Sequence, residues 1–200
     1  MTQPTQEMRT VHASKSAEPR PASQESFRLD ALRTRVAFSV RHMTGRVHGA
    51  FMRLSGSVDY DARRPENTAV QVTIQSASVV THSAARDARV RSSGFLDVRA
   101  FPEITFASTS ARRCRRSLEV TGQLTIHGVS RPVTVTVGKM QKRSSECEPS
   151  EGRGSGISAV ARARVRRTEF GVGPNSEHEL VGLMIGDEVA IELDIELVRQ

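Results

Sequence analysis

The sequence predicts an all-β fold, either a β-sandwich or a closed β-barrel. At least seven segments alternate apolar and polar residues with the period of two that a half-buried strand requires. Because each strand keeps one polar face, the pattern favours an antiparallel sheet; parallel strands buried on both faces read as continuous apolar runs. Aromatic residues make up only 4% of the chain and tryptophan is absent, so Val, Ile, Leu and Ala must form the core.

Length and composition fit one domain preceded by a tail. The chain has 200 residues, which is within the range of a single all-β domain. Residues 1–26 are rich in polar residues and poor in apolar ones, so we expect a disordered tail there and a folded domain over residues 27–200. The tail lacks the apolar segment of a secretory signal, and no apolar run is long enough to span a membrane. We therefore expect a cytoplasmic location.

The alternation identifies the inward face of each strand. The strictest pattern belongs to the last strand, where apolar residues alternate with carboxylates. In chain order, the inward residues are Val36, Phe38 and Val40; Val70, Val72 and Ile74; Ile104 and Phe106; Leu118, Val120, Leu124 and Ile126; Val133, Val135 and Val137; Ile157, Ala159, Ala161, Ala163 and Val165; and Val189, Ile191, Leu193, Ile195 and Leu197. The three alanines either let another element approach or leave an internal space.

One segment departs from this alternation. Its small and apolar residues recur at helical spacing, which predicts a short helix from about Ser83 to Arg91, ended by a Ser-Ser-Gly stretch. Asp87 lies in it among arginines, as on a charge-paired helix surface. Residues 141–156 are rich in Ser, Gly, Glu and Pro and indicate a mobile loop between two strands.

Charge and motifs argue against several functions. The formal net charge of +7 attracts polyanions. However, the arginines form scattered short pairs without interleaved aromatics, so we expect no specific nucleic-acid binding. Cys114 and Cys147 have no metal spacing, and the six histidines form no HxH or HExxH pattern. Since GxSxG and phosphate-loop motifs are also missing, we expect no enzymatic activity, no metal and no cofactor.

Five stretches of the chain occur together in a familiar order, at residues 27–51, 85–110, 120–137, 166–172 and 181–198. The combination of FLDVRAFPEITFAST with LTIHGVSRPV is the most specific. From Phe27 onward the chain resembles the YceI family of lipid-binding, lipocalin-like barrels. The resemblance implies a single extended eight-stranded antiparallel barrel with one short helix. It also implies a tunnel for a polyisoprenoid such as an isoprenoid quinone or a prenyl pyrophosphate.

The resemblance and the alternation together give candidate residues for the tunnel wall. Such sites are mostly apolar, with few polar anchors. The candidates are Val36, Phe38, Val40, Phe51, Val72, Ile74, Phe95, Phe101, Phe106, Leu124 and Ile126.

Two arginines replace histidines that members of the family commonly carry, Arg33 near the entry to the first strand and Arg89 in the helix. A guanidinium is permanently charged and binds phosphate through two parallel hydrogen bonds. Arg33 and Arg89 are therefore candidates for binding a lipid head group.

Three classes of function remain open. The leading interpretation is a non-catalytic protein, monomer or homodimer, that sequesters or carries an isoprenoid lipid and contacts membrane surfaces only transiently. The alternative is a stress-related structural or regulatory barrel, solid inside, that docks an acidic partner or a membrane through its basic face. An enzyme acting on a lipid would need a polar cluster that the sequence does not assemble.

Overall fold

The computed structural model describes residues 24–143, 156–173 and 185–200. These residues form twelve strand segments, one α-helix and three short 3₁₀ turns, at Pro65–Asn67, Ser76–Ser78 and Arg167–Phe170. The strands are β1 (Gln24–Leu29), β2 (Arg35–His42), β3 (Gly45–Phe51), β4 (Leu54–Asp61), β5 (Ala69–Gln75), β6 (Val79–Val80), β7 (Glu103–Cys114), β8 (Ser117–Ile126), β9 (Val129–Val137), β10 (Gln141–Arg143), β11 (Gly156–Arg166) and β12 (Ile185–Arg199). The helix α1 (Ala84–Arg91) lies between β6 and β7.

The segments join into the closed eight-stranded antiparallel barrel that the resemblance implied. Four of the eight walls are long strands interrupted by a bend: β1 continues into β2, β3 into β4, β5 into β6 and β9 into β10. β1 begins three residues before the domain boundary expected at Phe27. The rest of the expected tail, residues 1–23, lies outside the described residues.

β12 closes the barrel because it is paired along both edges. One edge faces β11, from the pair Gly156–Val198 to the pair Arg166–Glu188. The other edge faces β1 near the end of β12 and β2 over the rest of its length. Closing the sheet in this way leaves the last strand without a free edge for another chain to pair with.

The wall is least regular between β9 and β11. These strands pair at only two positions within the described residues, Ala161 with Val137 and Arg162 with Thr136. The backbone pairing then continues through β10 toward the start of β11. At the other end of this seam, the buried Phe170 packs in the cluster that includes Val165. A side chain, rather than a backbone ladder, therefore fills that part of the wall.

The predicted alternation is confirmed along β11 and β12. On β11, Ala161 and Ala163 are buried while Arg162 and Arg164 are exposed, and Leu197 of β12 is buried. The predicted helix is also confirmed. Its N-terminal cap is Ser83, whose side chain accepts a hydrogen bond from the Arg86 amide (3.4 Å).

The predicted loop over residues 141–156 is shorter than expected. Residues 141–143 form β10 and pair with β11, and β11 itself begins at Gly156. The loop prediction missed this strand because its three polar residues carry no apolar alternation. Residues 144–155 lie outside the described part of the chain.

We expect Gly122→Ala to destabilise the barrel. A Cβ at Gly122 of β8 would lie 2.6 Å from Cζ of Phe106 and would also meet the carbonyl oxygen of Ala107 on β7. Forcing a methyl group into a packed wall typically costs roughly 1–3 kcal/mol. Chemical denaturation should therefore give a free energy of unfolding lower by about that amount. Gly94→Ala is the matched control, because a Cβ there contacts only Ser92 Oγ at 3.9 Å; equal stabilities of the two variants would contradict the prediction.

Candidate functional site

A cavity of about 810 Å³ occupies the barrel interior. This volume falls within the ~300–1,000 Å³ typical of sites that bind small molecules. Every strand of the ring contributes side chains to its wall, and nearly all of them are aliphatic or aromatic. Ten of the eleven predicted wall residues line the cavity: Val36, Phe38, Val40, Phe51, Val72, Ile74, Phe95, Phe106, Leu124 and Ile126.

The inward alanines of β11 help to create this space. Ala159, Ala161 and Ala163 all line the cavity and pair with Ile195, Leu193 and Ile191 of the neighbouring strand β12. Of the two roles open to them from sequence, they leave an internal space. The barrel is hollow, so the interpretation of a solid barrel does not fit this chain.

Phe38 and Phe51 contact each other in the wall of the cavity. Phe38 pairs across the strands with Gly49, where a Cβ would lie 2.8 Å from its Cε1, so the ring occupies room that only glycine leaves. The Phe38 and Phe51 rings contact each other with centroids 5.6 Å apart and planes tilted by 44°. Phe51 also packs against both of the main apolar clusters. The two rings thus form one aromatic patch of the cavity wall.

The cavity reaches the surface at one end. The exposed residues among its described lining come from two places only, the turn between β2 and β3 and the outer side of α1. Near the opposite end, the lining residues Val120, Ile157 and Leu197 are buried, and none of the described lining residues there is exposed. We call the open end the mouth; its exposed lining residues are Thr44, Gly45, Arg46, Ala85, Arg86 and Arg89.

Four arginines supply the charge of the cavity. Arg46 comes from β3, Arg86 and Arg89 from α1, and Arg167 from the turn before β12. No aspartate or glutamate is among the described residues that line the cavity. The arginines that a group bound at the mouth meets are therefore not offset by any carboxylate of the described lining, which favours an anion.

Two of these arginines are fixed by backbone oxygens and two are not. Arg86 donates to the carbonyl oxygen of Thr81 (2.7 Å), and Arg167 donates to the carbonyl oxygens of Ile185 and Gly186 (3.1 Å each). Arg89 lies over the Phe95 ring, 5.9 Å from its centroid. Within the described structure, neither Arg46 nor Arg89 forms an ion pair with a carboxylate. Arg46 Nη1 donates a hydrogen bond to Ser39 Oγ (3.5 Å). Of the four arginines, Arg89 is therefore the one whose guanidinium has no hydrogen bond or ion pair in the described structure, and it is the one available to a ligand.

Asp87 anchors α1 beside the mouth. We expected it on a charge-paired helix surface, but the structure buries it against the end of β6. Its Oδ1 accepts hydrogen bonds from the Thr81 amide (2.7 Å) and the Thr81 hydroxyl (2.6 Å). The hydroxyl hydrogen bond is the largest cause of the lowered pKa of Asp87. Burial raises this pKa, but the hydroxyl and amide hydrogen bonds together with the charges of Arg91 and Arg86 outweigh it.

A second carboxylate fixes the turn that carries Arg167. Asp187 accepts hydrogen bonds from the amide (3.1 Å) and hydroxyl (2.7 Å) of Thr168. Burial raises the pKa of Asp187, but the two Thr168 hydrogen bonds and the neighbouring arginines together lower it below its ordinary value. The start of β12 and the 3₁₀ turn are thereby held together.

Two predicted site residues lie elsewhere. Phe101 is not among the residues that line the cavity; its ring packs edge-on against His127 (centroids 4.5 Å apart) at the turn between β8 and β9. Gly128 of that turn has φ 73° and lies directly under the Phe101 ring. Arg33 also does not line the cavity: it is exposed and faces Asp30, with Nε 3.9 Å from Oδ2.

Other chemical groups are dispersed. Across residues 24–143, 156–173 and 185–200, no three His, Cys, Asp or Glu side chains gather as a metal site would require. Cys114 is a half-buried free thiol, and Cys147 lies outside the described residues. None of the described helices is both long and apolar enough to cross a membrane.

Comparison with known proteins agrees with this architecture. The family model of the YceI-like domain matches residues 27–197. The chain belongs to the YceI family. Protein YceI of Salmonella newport is 32% identical over 170 residues, which cover 82% of this chain and 81% of the relative.

Two solved structures share the fold. BcnA of Burkholderia cenocepacia matches with a TM-score of 0.73 and 24% identity, covering 86% of this chain and 99% of BcnA. A polyisoprenoid binding domain from Saccharophagus degradans, implicated in plant cell wall breakdown, matches with a TM-score of 0.62 and 14% identity, covering 88% of this chain and 99% of that domain.

We expect the anchoring of α1 in this YceI domain to depend on pH through Asp87. Because its folded pKa lies below the unfolded value of about 3.9, its contribution to stability is fully present above about pH 5 and is lost as the pH falls through the folded pKa. Asp87→Asn should therefore lower the Tm at pH 7, and the difference from the native chain should shrink toward pH 3. Thermal unfolding across this range measures both effects. The control is Asp194→Asn on the exposed face of β12; a pH-independent difference for Asp87→Asn would contradict the assignment.

Proposed function

We propose that this YceI-family protein is a non-catalytic lipid-binding protein that sequesters or carries a polyisoprenoid in its barrel cavity. The observation that carries the proposal is the cavity itself. It has a volume of about 810 Å³, its wall is mostly apolar, and its charged groups lie toward the mouth. A ligand with a long hydrocarbon chain and a single polar end matches this separation of an apolar interior from a charged opening. The polyisoprenoid-binding domain from Saccharophagus degradans, which shares the fold, supports the same class of ligand.

The apolar wall provides the affinity. Burial of hydrocarbon stabilises a complex by about 0.8 kcal/mol per methylene-sized group, so each five-carbon isoprene unit contributes at most about 4 kcal/mol. Lost translational and rotational freedom offsets several kcal/mol of that gain. A chain of several isoprene units therefore binds tightly without any polar contact, provided that it reaches the inner part of the cavity.

The mouth provides selectivity for the head group. Arg89 presents a guanidinium group without a hydrogen-bond or carboxylate partner in the described structure, and a pyrophosphate accepts paired hydrogen bonds from such a group. A quinone offers only neutral carbonyl oxygens. We infer that a prenyl pyrophosphate gains more from the mouth than an isoprenoid quinone of equal tail length.

The wall chemistry supports binding rather than turnover. Most of the lining is hydrocarbon, and the side chains that could act as an acid, base or nucleophile, such as His42, Tyr60 and Ser83, come from separate elements. The arginines at the mouth stay protonated at all relevant pH values, so they hold an anion but do not exchange protons with it. A cytoplasmic location and a monomeric or homodimeric state remain predictions from the sequence.

We expect Ala159→Phe to block lipid binding, because Ala159 lies in the inner part of the cavity and a phenylalanine there would occupy the space of the ligand tail. The matched control is Val160→Phe, one residue along β11 and exposed on the outer face. Native mass spectrometry of the purified proteins, followed by organic extraction, should find a stoichiometric isoprenoid on the native chain and on Val160→Phe, but not on Ala159→Phe. Added ligand should raise the Tm of the same two proteins. Native protein that carries no lipid and is not stabilised by quinones or prenyl pyrophosphates would overturn the proposed function.

We expect Arg89→Ala to weaken binding of a prenyl pyrophosphate more than binding of a quinone with the same tail. A charge-assisted hydrogen bond contributes about 1.5–3 kcal/mol, so the pyrophosphate should lose roughly 10- to 100-fold in affinity. The quinone should lose much less. Arg131→Ala on β9, away from the cavity, controls for the loss of one positive charge. Equal losses for both ligands would contradict the role of Arg89 at the head group.

A further inference from the structure

The rim of the mouth carries an exposed apolar side chain. Met43 occupies the two-residue turn between β2 and β3, and 70% of its surface is exposed. Its neighbours His42 and Thr44 line the cavity, whereas Met43 does not. The side chain therefore projects from the rim rather than forming part of the wall, and the described structure gives it no packing role.

Arginines surround this apolar tip. Arg41 and Arg46 flank the turn on either side and are exposed, and Arg86 and Arg89 are exposed on α1 at the same mouth. Two carboxylates of the elements that carry the mouth already accept hydrogen bonds, Asp87 from Thr81 and Asp187 from Thr168. Within the described residues, the rim thus combines one protruding apolar side chain with four exposed arginines.

We propose that this rim docks onto the surface of an anionic lipid bilayer, with Met43 entering the head-group region and the arginines contacting lipid phosphates. Interfacial binding of this kind combines burial of a few apolar side chains with attraction to anionic lipids. Each basic residue near an anionic membrane strengthens partitioning by about fivefold. Docking in this orientation turns the open end of the cavity toward the bilayer.

The same features disfavour a nucleic acid at this surface. Single strands bind to basic grooves that carry aromatic stacking platforms, whereas the exposed side chain here is a methionine. The apolar cavity also opens within the basic rim, and a phosphate backbone gains nothing from an apolar opening. A bilayer provides both the anionic surface and the hydrocarbon that this combination fits. The proposal goes beyond the identity of the ligand in the cavity.

Co-sedimentation with vesicles tests the proposal on the full chain. We expect binding to phosphatidylcholine vesicles that contain 30 mol% phosphatidylglycerol, and binding at least about tenfold weaker to pure phosphatidylcholine. Raising NaCl from 0.1 M to 1 M should release the protein, because the Debye length falls from about 10 Å to about 3 Å. Equal binding to both vesicle types, or binding insensitive to salt, would overturn the proposal.

A pair of matched variants locates the docking surface. Met43→Asp removes the apolar tip and adds a repelling charge at the rim, so vesicle binding should fall about tenfold or more. Met52→Asp makes the same change at the opposite end of β3, where Met52 is 61% exposed, and should alter binding by less than about twofold. Equal losses in the two variants would overturn the assignment of the rim.

Two further measurements separate membrane docking from ligand binding in the cavity and from nucleic-acid binding. Neither Met43 nor Met52 lines the cavity, so both variants should bind isoprenoid quinone in vesicle-free solution as the native chain does. This control measures the proposed function independently of docking. A chain that binds quinone but does not bind anionic vesicles would overturn the docking proposal and leave the proposed function standing. The second measurement repeats the binding assay with duplex DNA in place of vesicles. Retention on DNA together with failure on anionic vesicles would also overturn the proposal.

Discussion

The paired edges of β12 are the constraint on which the rest of the structure depends. The strand pairs with β11 on one side and with β1 and β2 on the other, and only this double pairing turns a sheet into a closed barrel. Closure brings the inward rows of neighbouring strands into register, so that apolar side chains face a shared interior. It also fixes the open end, because the carbonyl oxygens of Ile185 and Gly186 at the start of β12 hold Arg167 beside the mouth.

The barrel divides its chemistry between strands and connections. Inward strand positions lie away from water and carry aliphatic or aromatic side chains, whereas the arginines of the mouth come mainly from a helix and turns, where their guanidinium groups remain solvated. The helix holds its place because the Asp87 carboxylate binds Thr81 at the end of β6. A polar contact outside the cavity thus decides where the charges at its entrance lie.

Sequence alone was sufficient where local pattern decides structure. The period-two rows of β11 and β12, the short helix and ten wall residues could be predicted because each follows from alternation, spacing or the family motif. Phe101 could not, because it precedes the start of β7 and packs against a turn about 26 residues further along the chain. Arg46, Arg86 and Arg167 were missed for a related reason: they lie far apart in sequence, and only barrel closure gathers them. In the sequence, their one sign is that these arginines lie in the helix or close to turns.

The short pairing between β9 and β11 gives the barrel an uneven stiffness. Around most of the circumference, continuous backbone pairing fixes the width of the barrel. At this seam β9 meets β11 at two paired positions in the described structure, and β10 and the packing of Phe170 complete the wall. Side-chain packing deforms more readily than a continuous run of backbone hydrogen bonds. We therefore expect the cavity to widen at this seam while the other strands keep their register. For the isoprenoid ligand proposed above, such a seam would accommodate the methyl branches of the chain without a moving lid.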